Sequence, residues 1–235
     1  MANRVPIETG EWYHCYNRGV DKRVVFDLRG DYERFLVHMY LSNGTNNIRA
    51  STLPTIGLET ILVDSSIDRG EQLVEIGAYS LMPNHVHFVL KQIQDNGIAL
   101  FMQKMFTGYT MYFNNKNERT GSLFNGSFKS KHIIDDRYLK KVLPYVMLNH
   151  LDLFKNGSGD DDLGSKKLDQ QIREYPYSSL MDFLGTQRPV TSLVGNSVLE
   201  YYDSPPTFSQ ILEDALAYRK ELEIATLQVK PVIAE

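Results

Sequence analysis

The run His85-Val86-His87-Phe88-Val89-Leu90 constrains this chain more than any other stretch of its sequence. Its residues alternate with period two, so as a β-strand it sets Val86, Phe88 and Leu90 on one face and His85, His87 and Val89 on the other. The first face has the composition of a core. The second holds two imidazoles side by side, an arrangement that suits a divalent metal better than apolar packing. A His-x-His pair alone is more often an ordinary polar sheet face. Its meaning depends on partners elsewhere in the chain.

The flanking elements follow from pattern and punctuation. EWYHCYNRG (11–19) alternates aromatic and polar residues and stops at glycine, which predicts a strand and a turn. DYERFLVHMYL (31–41) has an acidic start and helical apolar spacing. Residues 43–72 are rich in Ser, Thr, Asn and Gly and read as an inserted loop with a short strand at 59–64. EIGAYSLMP (75–83) supplies a strand joined to 85–90 through the Pro83-Asn84 turn. A helix over 96–117, a strand within 121–135 and a helix over 136–154, interrupted or restarted at Pro144, complete the series. This order predicts an α+β fold, a ferredoxin-like antiparallel sheet with helices on one face. The expected catalytic unit covers 1–155. Residues 156–235 are expected to form a linker (NGSGDDDLGSKK, 156–167) and a small helical C-terminal extension with Phe208, Ile211, Leu212, Ala215 and Leu216 on its docking stripe.

Charge is unevenly spread. The chain as a whole carries −4, but residues 101–150 hold 8 Lys and Arg against 3 Asp and Glu. That basic block is interleaved with Tyr109, Tyr112, Phe113, Phe124 and Phe128, a mixture that suits single-stranded nucleic acid, although packing is the commoner role for the phenylalanines. Lys129 and Lys131 share one strand face and are candidates for phosphate contact, as are Asn17 and Arg18 after the first strand. No apolar run approaches a membrane span, no signal peptide is visible, and the single cysteine, Cys15, excludes an internal disulfide and a cysteine-rich zinc site. A cytoplasmic protein is the expectation.

Partners for the histidine pair lie in PYVMLNH (144–150). Tyr145 and Asn149 stand four apart and so share a helical face. A tyrosine can attack phosphorus when its phenolate is favoured, and an asparagine one turn on can offer its carbonyl oxygen to the same metal. Among 14 tyrosines an isolated Tyr-x-x-x-Asn carries no weight; its force comes from co-occurrence with His85 and His87. His14 also falls on the surface expected for the pair, without a clear case for it as a ligand.

The stretches YHCYNRGVDKRVVF with DYERFL, LMPNHVHFVL, MYFNN with GSLFNGSFKS, YVMLN and YPYSSLMDFLG occur in an order that resembles the HUH single-tyrosine transposases, in particular the REP-associated tyrosine transposase branch. The resemblance spans roughly residues 11–185. It implies that His85, His87 and Asn149 bind Mg²⁺ or Mn²⁺ and that Tyr145 is the nucleophile. It further implies cleavage and rejoining of single-stranded DNA at hairpins through a 5′-phosphotyrosine link, by a monomer or homodimer. Two positions depart from the pattern: His150 follows Asn149 where proline is usual, and Pro144 precedes Tyr145, which predicts a displaced tyrosine or a helix starting at Pro144. These departures leave open a hairpin-binding regulator of the same fold that does not cleave. An unrelated His-x-His metallohydrolase fits poorly, because the chain has only six histidines.

Overall fold

The computed structural model describes residues 6–50, 57–154 and 166–229. Four strands, β1 (Trp12–Arg18), β2 (Val74–Met82), β3 (His85–Gln92) and β4 (Lys129–His132), form one sheet in the order β2-β3-β1-β4. Every neighbouring pair is antiparallel. Helices α1 (Arg29–Ser42) and α3 (Gly97–Lys116) connect β1 to β2 and β3 to β4, so the α+β, ferredoxin-like expectation describes the element order and the sheet.

The apolar face of β3 behaves as its alternation predicts. Val86, Phe88 and Leu90 are fully buried with Tyr13 and Cys15 of β1, against Phe35 and Met39 of α1 and Phe101, Met105 and Tyr109 of α3. In β2 the register shifts between Ile76 and Ala78. The extra residue, Gly77, lets Val74 and Ile76 before it and Tyr79 and Leu81 after it all enter this same core.

Helices are not confined to that face. The other face carries a second core in which Trp12, Ala78 and Val89 meet α4 (Asp136–Met147) and α7 (Phe208–Val229) through Val142, Val146, Ile211 and Ala215. The one-face expectation therefore needs correction. Val89, Ala78 and Trp12 form an apolar patch at one end of the second face, and an exposed patch there would be costly to leave in water. The histidines occupy the other end of that face, where His14 and His87 are covered by aromatic rings, Tyr145 among them.

Three further local readings change. Residues 59–64, expected as a strand, lie in helix α2 (Leu58–Val63), where Ile61 joins Val37, Leu41 and Ala50 in a small satellite core. The insertion is thus partly structured, and Asn43 ties its entry to β2 by paired bonds with the Val74 backbone at 2.9 and 3.0 Å. Pro144 sits inside α4 instead of starting it, and the helix ends at Met147, followed by a 3-10 segment at Asn149–Leu153. The linker expected over 156–167 falls mostly outside the described residues. Beyond it lie α5 (Lys166–Arg173), α6 (Leu180–Phe183) and α7, and residues 177–179 line the edge of β2 through Leu81 N–H to Tyr177 O (2.9 Å) and Ser179 N–H to Tyr79 O (3.0 Å). Pairing of this kind protects an open edge.

His38 of α1 packs against α3 where Gly108 leaves room; a Cβ on residue 108 would stand 2.6 Å from His38 Nδ1. Burial, with help from the charge on Arg34, lowers the His38 pKa to about 4. Below pH 6.5 the unfolded chain takes up a proton that the folded chain refuses until about pH 4, so stability should fall as pH drops through that window. A shift of this size is worth roughly 3 kcal/mol at 1.36 kcal/mol per unit. Urea unfolding at pH 7 and pH 4.5 checks this: His38→Leu should lose measurably less stability than the parent, and an equal loss in both would show that His38 is not the group titrating.

Candidate active site

The site lies where the second sheet face runs out of apolar residues. The β1–β3 register pairs Tyr16 with His87 and Arg18 with His85, and the β1–β4 register pairs His14 with Lys131 and Tyr16 with Lys129. Period-two geometry then puts His14, Tyr16, Arg18, His85, His87, Lys129 and Lys131 on one face. The Tyr16 ring stacks on His87 at 5.5 Å, and His14 stacks on it at 5.1 Å. Tyr145, from the last turn of α4, comes edge-on to both His14 and His87 at 5.9 Å. The expected set His85, His87, Tyr145 and Asn149 is brought together on this surface. Asn149 arrives from the 3-10 segment, not from a continued helix.

The hydrogen bonds around the two histidines are informative. His87 Nδ1 lies 2.8 Å from His14 Nε2. His85 has an oxygen at each ring nitrogen: Asn84 Oδ1 at 2.6 Å from Nδ1 and Asn149 Oδ1 at 3.0 Å from Nε2. Asn84 donates its amide N–H to Lys22 O, which leaves its oxygen facing the ring. A neutral imidazole has one N–H and can satisfy only one of the two oxygens. The imidazolium could satisfy both, but burial, reinforced by Arg18, outweighs the bond to Asn149 and holds the His85 pKa below its ordinary value. With the proton on Nδ1, the lone pairs of Nε2 and Asn149 Oδ1 face each other. Donors at right angles around a cation with 2.1 Å bonds stand about 3.0 Å apart, so this spacing fits two adjacent ligands of Mg²⁺ or a similar ion.

Electrostatics point the same way. His87 is held well below the ordinary value, mainly by burial and then by His14 and His85, and His14 is lowered to about 4 by burial and Lys131. All three imidazoles are therefore neutral near pH 7 and able to offer lone pairs. Burial raises the Tyr145 pKa, opposed by Arg219 and by hydrogen bonding with Asn149. Among the described residues no cluster of three His, Cys, Asp or Glu side chains is arranged for a metal, and a cation taken by His85 and His87 would have to draw its third protein donor from the Asn149 amide. Two histidines and one amide leave coordination positions open for water or phosphate oxygens.

The remaining expectations divide. Lys129 and Lys131 are exposed beside Tyr16 and His14 on the site's face, with Lys131 Nζ 4.9 Å from the centre of the Tyr138 ring. Arg18 is exposed on the same face. Asn17 is not its neighbour there: alternation turns it to the opposite side, where it is buried, donates to Gly126 O and borders a 660 Å³ cleft between α3 and residues 121–128. Both residues belong to β1 and not to a turn. Phe124 and Phe128 pack in the first core. His150, which stands where the resemblance has proline, is fully buried, bonded to Ile172 O at 2.9 Å and stacked on Tyr175.

Sequence reasoning missed Tyr16, Tyr218 and Arg219 and undervalued His14. The alternation of EWYHCYNRG put His14 and Tyr16 on one face, but only the strand register shows that this face meets His87. Tyr218 and Arg219, whose contacts with Tyr145 span more than seventy residues, carry no local signal.

A direct check of the geometry is the His85 tautomer. Long-range ¹⁵N–¹H correlation spectra at pH 7.5 should show a protonated Nδ1 and a bare Nε2 for His85. A protonated Nε2 would remove the lone pair aimed at Asn149.

No known protein-family model matches the sequence, and no curated protein matches it. Among solved structures, one of a REP-associated tyrosine transposase bound to a REP hairpin aligns with 88% of this chain and 98% of its own, at a TM-score of 0.47 and 11% sequence identity.

Proposed function

We propose that the chain is a metal-dependent single-stranded DNA endonuclease and strand transferase of the HUH single-tyrosine type, acting at hairpin-associated sites. The observation that carries this reading is the convergence of Tyr145, His85, His87 and Asn149 at one end of a sheet face that also carries Lys129, Lys131 and Arg18. The ordered motifs of the sequence support it independently.

In this reading the Tyr145 hydroxyl attacks the scissile phosphorus. The bond from phosphorus to the 3′ oxygen breaks as the bond to the tyrosine oxygen forms, and the phenolic proton ends on the released 3′-hydroxyl. Reversal by a 3′-hydroxyl rejoins the strand. A divalent cation held by His85, His87 and Asn149 supplies Lewis-acid polarisation of the phosphate when bound. His14 and Asn84 orient the two imidazoles, a role in which outer partners typically matter 10- to 100-fold for metal affinity. The phenol needs such help, because burial makes its proton harder to remove than that of free tyrosine.

The test is incubation of the full chain with a labelled hairpin carrying single-stranded flanks and Mn²⁺, read on a denaturing gel. Wild type should form a covalent protein–DNA adduct. Tyr145→Phe, which keeps the ring contacts with His14 and His87, should bind the hairpin normally and form none. An adduct from the Phe variant assigns the nucleophile elsewhere, with Tyr138 next on the same helix. Hairpin binding by wild type without any adduct favours the regulator that binds and does not cleave.

The lysine flank gives a second expectation. Each phosphate neutralised contributes about −0.7 to the slope of log affinity against log salt for single strands. Lys129→Ala with Lys131→Ala should flatten the slope by roughly 1.4 if both contact phosphates. An unchanged slope moves the DNA path off this edge.

A further inference from the structure

We infer that Arg219, on the C-terminal helix α7, is a positioning residue that locks the junction between α4 and Asn149 and so aims Tyr145 and Asn149 at the histidine pair. This rests on reading Tyr145 as the attacking group. It makes the C-terminal extension part of the site instead of an appendage docked on it.

The junction needs such a lock. Tyr145 and Asn149 were expected one turn apart on a continuous helix, which would hold them by backbone bonds alone. The helix instead ends at Met147, Leu148 takes φ −101° and ψ 18°, and Asn149 opens a 3-10 segment. Carbonyls at the end of a helix lack intrahelical donors, and the helix dipole favours a cation there. Leu148 O here already accepts from Leu151 N–H at 3.0 Å, and Arg219 adds further donors and the positive charge. Its Nη2 donates to Leu148 O at 2.9 Å and to Asn149 O at 3.1 Å, while Nη1 pairs with Asp152 at 2.7 Å. One planar guanidinium thus spans residues 148–152, a reach that a lysine ammonium cannot reproduce.

The same group also bears on the tyrosine. The Arg219 guanidinium carbon lies 5.7 Å from the centre of the Tyr145 ring. Tyr218, the preceding residue, meets that ring edge-on at 5.5 Å and bonds the Tyr138 hydroxyl at 3.0 Å. Two consecutive residues of α7 therefore contact the Tyr145 ring that His14 and His87 also meet. The Arg219 side chain is only 12% exposed, which shields its contacts with the ring and the two carbonyls, whereas its partner Asp152 is 56% exposed and that pair is screened by water. The nearby Lys141–Glu221 pair also joins α4 to α7 but is half-exposed and touches none of the site residues, which makes it a control for simple docking.

The experiment uses the full chain with Arg219→Ala, Arg219→Lys, Asp152→Asn and Glu221→Gln. Adduct formation is measured against hairpin concentration with Mn²⁺, and 3-fluorotyrosine at position 145 reports the ring by ¹⁹F NMR without DNA. Arg219→Ala should keep its half-saturating hairpin concentration but form adduct at least about tenfold more slowly at saturation, because a displacement near 1 Å costs up to ~100-fold. Its ¹⁹F signal should broaden or split. Arg219→Lys should fall between it and wild type, Asp152→Asn should show a milder change of the same kind, and Glu221→Gln should match wild type. An Arg219→Ala chain with wild-type rate and an unchanged ¹⁹F line overturns the inference, and so does a Glu221→Gln chain that is equally impaired. If wild type forms no adduct, the nuclease reading fails, and the ¹⁹F line together with amide exchange of residues 148–153 still decides whether Arg219 holds the junction. Should Arg219→Ala fail to fold, the Lys and Asp152→Asn variants decide.

Discussion

The register of β1 against β3 is the constraint on which the rest of the molecule depends. Pairing Tyr16 with His87 and Arg18 with His85 sends every second side chain of both strands to the face that becomes the cleft. A slip of β3 by one residue would turn the imidazoles into the aromatic core and bring Phe88 out of it. The register is held because Val86, Phe88 and Leu90 on one strand and Tyr13 and Cys15 on the other all bury against α1 and α3. Position of the polar groups is thus set by apolar burial on the opposite side of the sheet.

The second face divides along its length. At one end Trp12, Ala78 and Val89 recruit α4 and α7, and that packing delivers Tyr145 to the boundary of the patch. At the other end the imidazoles are shielded enough to stay neutral, yet Arg18, Lys129 and Lys131 remain in water. Burial acts in two directions here. It keeps histidine lone pairs available, and it makes the tyrosine proton harder to lose. Arg18, Lys129 and Lys131 make this end of the face cationic in a chain whose overall charge is negative.

The parts outside the four-stranded unit serve it. The insertion after α1 carries its own small apolar cluster and also sends Leu62 of α2 into the main core. The extension covers the β2 edge through residues 177–179 and lays α7 over α4. His150 stacks on Tyr175 and bonds Ile172, so it fastens the end of the site segment to the extension instead of joining the chemistry.

Periodicity and punctuation by themselves determined the element order, the antiparallel α+β sheet and the shared face of His85 and His87, because these depend on side-chain spacing along single elements. The motif order singled out Tyr145 and Asn149. Tertiary structure decided the rest. It placed His14 against His87, turned Asn17 away from Arg18, made a helix of 58–63, ended α4 before Asn149 and set helices on both faces of the sheet. Each of these depends on which distant element supplies the neighbouring surface: a register, a competing core or a guanidinium seventy residues away. No local spacing encodes such contacts, since the free energy that selects them comes from burial between segments that meet only when the chain has folded.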